Sequence, residues 1–439
     1  MKTESKYRQW AFIIRREFLA VSTRPAVLLV LMGGIFLYGL LYNYMYAPNK
    51  VTDMPVAVVD CSHSQLSRNY IRWLEATPQM EVYGLAGDFL EAREWMKEAR
   101  VQGIVYLPRD FEQRVYRGEE AVFPQYATTA AFLYFEALQG ASSRVMLALS
   151  EECRKGVFPL LPLQGQVAVM IARPVRVEGT ALYNFTEGYG SYLIPAVMMV
   201  ILFQTLLMVI GMLTGEECFS GSIRLYAPFG CGWKAAGRVV LGKMLVYGSL
   251  YAVFSLFLLG LLPHFFSIPH IGNGGDIALM IVPFLMSTSF LGLTASRYFT
   301  DAEAPLLLIA FFSVGLIFLS GISYPLELMP WYWRAAHYLL PAAPGTLAFV
   351  KLNSMGASLA DIRPEFTALW VQTLVYFLTS VWVYRQKLKS ALAKAEKCIG
   401  KSRKVYRQKL KKGDNAPFSY SHFTKRLMYQ FFTVCVSRQ

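Results

Sequence analysis

The chain has 439 residues, of which 55% are apolar and 16% charged, with a mean hydropathy of +0.35. A soluble domain usually carries about 25% charge, so a wholly soluble enzyme is excluded. Six cysteines in so long a chain do not make a disulfide scaffold. The net charge of +14 is unevenly placed: residues 385–439 hold 15 Lys and Arg against 2 acidic residues, a net +13, which leaves +1 for the other 384. Beside a hydrophobic segment such a tail reads as an anchor on the cytoplasmic side rather than a nucleic-acid arm.

Residues 6–21, KYRQWAFIIRREFLAV, have helical periodicity, with Tyr7, Trp10, Ile14, Phe18 and Val21 at spacings of three and four. This predicts an amphipathic elbow helix within residues 1–25, lying in the membrane interface; a soluble partner-binding helix is the alternative. Residues 26–46 follow without a charge, long enough to cross a hydrocarbon core of about 30 Å. The run is longer than a signal-peptide core and has no small-x-small cleavage site, so it reads as a retained span.

Residues 47–188 read as a folded external domain. PVAVVD at 55–60, MEVYG at 80–84, GIVYLP at 103–108 and AVFPQYA at 121–127 predict strands, the last weakened by Pro124. Helices are predicted at 64–76 with Ser64 as cap, at 89–100 capped by Asp88 with Glu91 in a capping box, and over 129–154. The alternation predicts a small α/β domain. Cys61 and His63 have no nearby partners for a metal cluster. Cys61 and Cys153 are the two cysteines expected outside, and nothing in the sequence fixes whether they pair. Asn184 has N-x-T spacing, which is a glycosylation acceptor only in a eukaryotic secretory route.

Further apolar runs lie at 189–213, from about 240, at 277–295, at 304–322 and at 366–384. The expectation is therefore an α-helical polytopic membrane protein with six transmembrane helices and an inserted extracytoplasmic α/β domain. Six basic and two acidic residues in the first 25, and the basic tail, place both termini in the cytoplasm. The span middles carry no Asp, Glu, Lys or Arg, Gln204 being the most polar residue there and Lys243 lying near a cytoplasmic end. A proton-coupled transporter usually needs an ionisable relay in the membrane. An energy source elsewhere fits better, and the chain has no GxxxxGK[ST] phosphate loop.

Two connections stand out. Residues 214–228, opened by Glu216 and Glu217 and interrupted by Gly221, are too polar for a span and suit a short cytoplasmic helix touching a partner or a plain connector. Residues 321–345 crowd Tyr324, Pro325, Met329, Pro330, Trp331, Tyr332 and Trp333 directly after a span, and read as short helices dipping back into the outer interface. Broken backbone at that depth needs protein around it.

Several stretches together resemble the permease subunit of ABC-2 type transporters, in the bacterial exporter branch with a large external domain between spans one and two. They are VAVVDCSHSQLSRNY at 56–70, GIVYLPRDFEQRVYRGEEA at 103–121, YNF at 183–185, Gly242-Lys243 and SGISYPLELMP at 320–330. The family's R-E-R-E-x-G-T motif is matched here only by Glu217 and Gly221, with Ser222 for Thr and both arginines missing. The resemblance implies that Glu216, Glu217, Gly221 and Arg224 couple to a separate cytoplasmic ATP-binding subunit. That subunit would hold ATP and Mg, with no cofactor on this chain. It also implies a second permease copy or a related permease, with a periplasmic adaptor and membrane lipids as further partners, and export of a drug, lipid or envelope component across the bacterial inner membrane without covalent chemistry. The competing readings are a membrane receptor or envelope scaffold, and thirdly a secondary transporter.

Overall fold

A computed structural model describes residues 6–117, 119, 121–128, 132–157, 188–299 and 301–411. The chain divides into two compact units, Pro48–Leu182 and a helical unit made of Met1–Ala47 with Tyr183–Gln439.

The helical unit begins with α1 (Lys6–Thr23) and α2 (Pro25–Met45), which Pro25 opens at a position where its missing N–H costs nothing. A π-helical turn at Met32–Leu37 interrupts α2. The inserted unit follows, with β1 (Met54–Asp60), α3 (Gln65–Glu75), β2 (Met80–Leu85), α4 (Phe89–Lys97), β3 (Gly103–Leu107), α5 (Phe111–Arg117), β4 (Gln125–Ala127) and α6 (Phe132–Val157). Its sheet has the order β2-β1-β3-β4, with β1 parallel to β2 and β3, and β4 antiparallel to β3.

β1 is an unbroken apolar run because both its faces are covered. Val56 and Val58 pack with Leu66, Tyr70, Leu74, Leu138 and Val145, while Ala57 and Val59 pack with Ala92 and Ile104. Ser64 caps α3 by accepting from the Ser67 amide, and the Ser67 hydroxyl bonds back in a capping box. Asp88 caps α4, but Glu91 reaches the Gly87 amide, one residue before the cap. β4 is only three residues long, starting just after Pro124. Cys61 and Cys153 are both free; they pack against opposite faces of the sheet, which keeps their sulfurs apart. Tyr183–Phe185 and the Asn184 sequon lie outside the described residues.

The helical unit resumes with α7 (Tyr189–Phe219), a 3₁₀ turn at Ser222–Phe229, α8 (Trp233–Phe265), α9 (Gly274–Ala295), α10 (Ala304–Leu319), α11 (Trp331–His337), α12 (Ala342–Met355) and α13 (Arg363–Lys411). α7 is the core of this unit, buried along almost all of its length, so its apolar residues run right around the helix. α8 also carries a π turn, at Leu256–Leu261, and Phe36 of the α2 turn lies against its Phe257 with ring centroids 4.8 Å apart.

The expectation of six transmembrane helices is corrected here. Among the described residues five helices are long and apolar enough to cross a membrane: α2, α7, α8, α9 and Arg363–Ala393 of α13. The apolar run at 304–322 forms only the 16-residue α10. At 1.5 Å per residue that is about 24 Å, short of the roughly 30 Å core. Pro305 fixes its start, and Gly321, at φ +84°, turns the chain out of the helix just after Ser320. From the end of α9 the chain then reaches the start of α13 in pieces, through α10, α11 and α12, instead of in one span.

The core of the inserted unit gives a direct test. Leu74 is fully buried and Leu90 is exposed. Leu74→Ala should cost about 2–5 kcal/mol, seen as earlier protease cleavage of the inserted unit in the full chain, whereas Leu90→Ala should change stability by less than about 0.5 kcal/mol.

Candidate functional site: a buried ion cluster at one end of the bundle

α1 docks on the bundle along a stripe that neighbours its aromatic one and shares Val21 with it. Tyr7 and Phe18 are exposed, while Gln9, Ile13, Glu17 and Val21, at steps of four, are buried. Ile13 reaches α8 at Gly242, where an added Cβ would stand 2.6 Å from its Cγ2. Only a glycine lets the two helices come this close. That approach sets Lys243, the next residue, against Glu17.

Glu17 is the hub. Lys243 Nζ lies 2.9 Å from its Oε1, and the hydroxyls of Tyr226 and Tyr247 both donate to its carboxylate, the latter at 2.5 Å. Lys243 also faces Glu217 Oε2 at 3.2 Å, and Arg16 donates to Glu217 Oε1 at 2.8 Å and to the Ser222 hydroxyl at 3.0 Å. The Arg16 guanidinium lies 4.5 Å above the Tyr226 ring. Two acids and two bases are thus buried together, tying α1, the end of α7, the 3₁₀ turn and α8. The neighbouring residue Glu216 pairs with Arg24 at 2.5 Å.

The charge states follow from this arrangement. Burial alone would push the Glu17 carboxyl up, but the Lys243 ammonium, then Arg16 and the two tyrosine hydroxyls, hold it down at about 2. Burial, joined by the Glu17 and Glu217 carboxylates, pushes the Tyr226 hydroxyl well above its usual value, so it stays a donor.

Glu216 and Glu217 therefore stand on the last turn of α7, with the Glu217 carboxylate engaged inside the chain. Gly221, at φ +68°, ends that helix region, and Arg224 lies exposed on the 3₁₀ turn beyond it. Cys218 and Phe219 are also exposed beside it. Gly242-Lys243 stood out in sequence only as a family likeness and, for Lys243, as a charge near a cytoplasmic end, and Glu17 did not stand out at all. The available signal was that Glu17 falls in register with Ile13 and Val21.

The other sequence-singled segment lies toward the opposite end. Tyr192, near the start of α7, donates to the Ile322 carbonyl, and Ile322 packs with Ala196 and Val350. Pro325 precedes a 3₁₀ turn at Leu326–Leu328, Met329 is extended, and Pro330 opens α11 at Trp331. Tyr324, Trp331, Tyr332 and Trp333 are exposed. His337 is buried, its Nδ1 2.8 Å from the Leu319 carbonyl. The Tyr338 carbonyl accepts from Gln372 at 2.7 Å, and the Leu339 carbonyl accepts from Tyr376, both donors well inside α13. The structure does not bring this segment to the ion cluster.

The family model described as ABC-2 family transporter protein matches residues 25–382. The chain belongs to this family. It is an ABC-2 type permease with an extracytoplasmic domain between its first two spans, and a transport subunit rather than an enzyme. No curated protein and no solved structure matches the chain. Among the described residues of the permease no three His, Cys, Asp or Glu side chains are grouped to hold a metal ion.

Removing one partner of a buried ion pair costs about 3–5 kcal/mol, so Glu17→Gln should lower the melting temperature of the purified permease markedly. Glu17 ionises at about 2 in the fold against 4.5 ordinarily. A depressed carboxyl contributes stability that is complete above the unfolded value and is lost as pH falls through the folded one. The stability gap between wild type and Glu17→Gln should therefore be constant above about pH 4.5 and shrink between there and about pH 2, as read by melting curves across pH.

Proposed function

We propose that the permease is the membrane subunit of an ATP-driven exporter that moves a hydrophobic or amphipathic substrate out of the cytoplasm or inner membrane, in a pair with a second permease. A separate cytoplasmic subunit supplies ATP hydrolysis with Mg. The observation that carries this is the buried ion cluster. It joins the end of α7 and the 3₁₀ turn to α1 and α8, so a push on the turn reaches two spans and the interfacial helix together. α1 and the Tyr384–Lys387 stretch of α13 share this end of the bundle: Lys243 Nζ lies 5.9 Å from the Tyr384 ring and Lys387 Nζ 2.8 Å from the Ser296 carbonyl. The excess of Lys and Arg in both terminal segments supports placing that end, and both termini, in the cytoplasm.

On this reading residues 214–228 are the coupling segment. Glu217 and Gly221 shape it from within, Glu216 fastens it to Arg24, and Phe219 and Arg224 present its outer surface to the ATPase. Truncating an apolar anchor at an interface costs about 2 kcal/mol or more. Phe219→Ala with Arg224→Ala should therefore weaken binding to the native ATPase subunit by roughly thirtyfold, with the permease melting temperature unchanged. Wild-type affinity and wild-type ATPase stimulation in a folded variant would refute the coupling role.

Residues 321–345 are, on the same reading, an external segment re-entering the outer half of the permease and facing the exit route. Its exposed rings suit the headgroup level, where one edge meets hydrocarbon and the other water. Trp331→Ala should shift relative transport between a bulky and a small substrate by roughly tenfold, at matched folded protein and basal ATP hydrolysis. Equal loss for both substrates would leave Trp331 only an anchor.

A further inference from the structure

One buried titratable group takes no part in the ion cluster or the coupling segment. His337 closes α11 and is fully buried, although Trp331, Tyr332, Trp333 and Arg334 before it are exposed. Its Nδ1 lies 2.8 Å from the carbonyl of Leu319, in the last turn of α10. Carbonyls of a last turn lack a donor within their own helix, and a carbonyl can only accept. Nδ1 therefore carries the ring hydrogen, which leaves Nε2 as a bare acceptor. Nε2 is buried without a partner. The charged side chains that act on the ring are Glu365 and Lys351. Glu365, on α13, is buried and accepts from Lys351 Nζ of α12 at 2.6 Å through Oε1. α10 has no ionisable side chain, and α12 has Lys351 alone. Glu327, Arg334 and Arg363 are exposed, the Tyr338 ring stands edge-on to the imidazole at 4.8 Å, and the Tyr376 hydroxyl donates to the Leu339 carbonyl.

We propose that His337 is a proton-operated latch, which holds α11 on the end of α10 while neutral and releases the segment when Nε2 takes a proton. Glu365 and Lys351 already balance each other, so an imidazolium beside them is an extra buried charge with no counter-ion of its own. Its new N–H also meets no free acceptor in place. Both are unfavourable away from water. Unseating α11 hydrates the ring and withdraws little else, since the rest of the helix is mostly exposed already. Burial, with the Lys351 charge, accordingly holds the imidazole below its usual value, against the opposing pull of the Leu319 carbonyl and Glu365. The sign follows. A released His337 takes its proton at about pH 6.5, so the seated form loses stability as pH falls through that value. The latch rests on this geometry; that the proton arrives from outside rests on the external placement of residues 321–345.

The test follows amide hydrogen exchange of residues 331–337 in the full-length permease, held in phosphatidylcholine nanodiscs. It runs from about pH 7.5 to about pH 5, each rate being divided by the intrinsic exchange rate at that pH. Protection of α11 should fall roughly fivefold or more on acidification. His337→Asn sets an amide N–H in the place of Nδ1–H and takes no proton. Its protection should match wild type at about pH 7.5 and stay flat below it. Lys351→Gln keeps a donor to Glu365 and removes the neighbouring cation, so the midpoint of the fall should move to higher pH. Flat protection in wild type, or an equal fall in His337→Asn, would overturn the latch. Where His337→Asn does not seat α11 even at the higher pH, the Lys351→Gln midpoint decides, and one that stays or moves down would overturn it. A nanodisc opens both faces to the buffer and no readout uses the ATPase, so failure here leaves both the external placement and the exporter reading intact.

Discussion

Everything at the α1 end of this bundle depends on one carboxylate, Glu17, being held charged in a place without water. Its burial is unfavourable by itself, and so is that of Lys243 beside it. Each is tolerable only because the other is there, with Arg16, Glu217 and two tyrosine hydroxyls completing the set. These groups come from stretches more than 200 residues apart in the chain. The cluster is therefore an all-or-none assembly: undocking α1 would strand Lys243 and Glu217 together with half their partners. Such an assembly contributes less to net stability than to fixing which surfaces meet.

The opposite half of the bundle meets the same problem with neutral groups. A chain broken by Pro325, Pro330 and Pro341 leaves carbonyls without helical partners, and apolar surroundings cannot satisfy them. Tyr192, Gln372 and Tyr376 do so from neighbouring spans. These side chains look unremarkable in sequence because each lies among the apolar residues of a long helix. Their task is visible only once the broken segment is seated on them.

Local chemistry was legible where it is local. Ser64 and Asp88 were readable as caps because a cap depends on residues within four positions. The strands of the inserted unit were readable from their bounding turns and apolar runs. The number of spans was not, because the run at 304–322 has the composition of a span while Pro305 and Gly321 trim it to 16 residues. Which stripe of α1 packs on the bundle was not legible for a related reason. In an aqueous protein Tyr7, Ile14 and Phe18 would turn inward; at a membrane interface the outside is itself apolar, so these side chains stay outside and the Gln9–Ile13–Glu17–Val21 stripe packs inward. The ion cluster was illegible because its pairing is set by tertiary contact across the whole chain, and Gly242 matters only through Ile13 opposite it.

The π turns of α2 and α8 bear on how this sequence tolerates change. An α-helix advances 100° per residue, so losing one residue from a span rotates everything beyond it and misplaces the buried face. A π turn holds one residue more than the regular helix needs. A single-codon deletion inside Met32–Leu37 or Leu256–Leu261 can close that surplus and leave the flanking turns in phase, whereas the same deletion elsewhere in α2 or α8 cannot. The two turns are thus the places in these spans where the length of the gene can vary without scrambling the packing on either side.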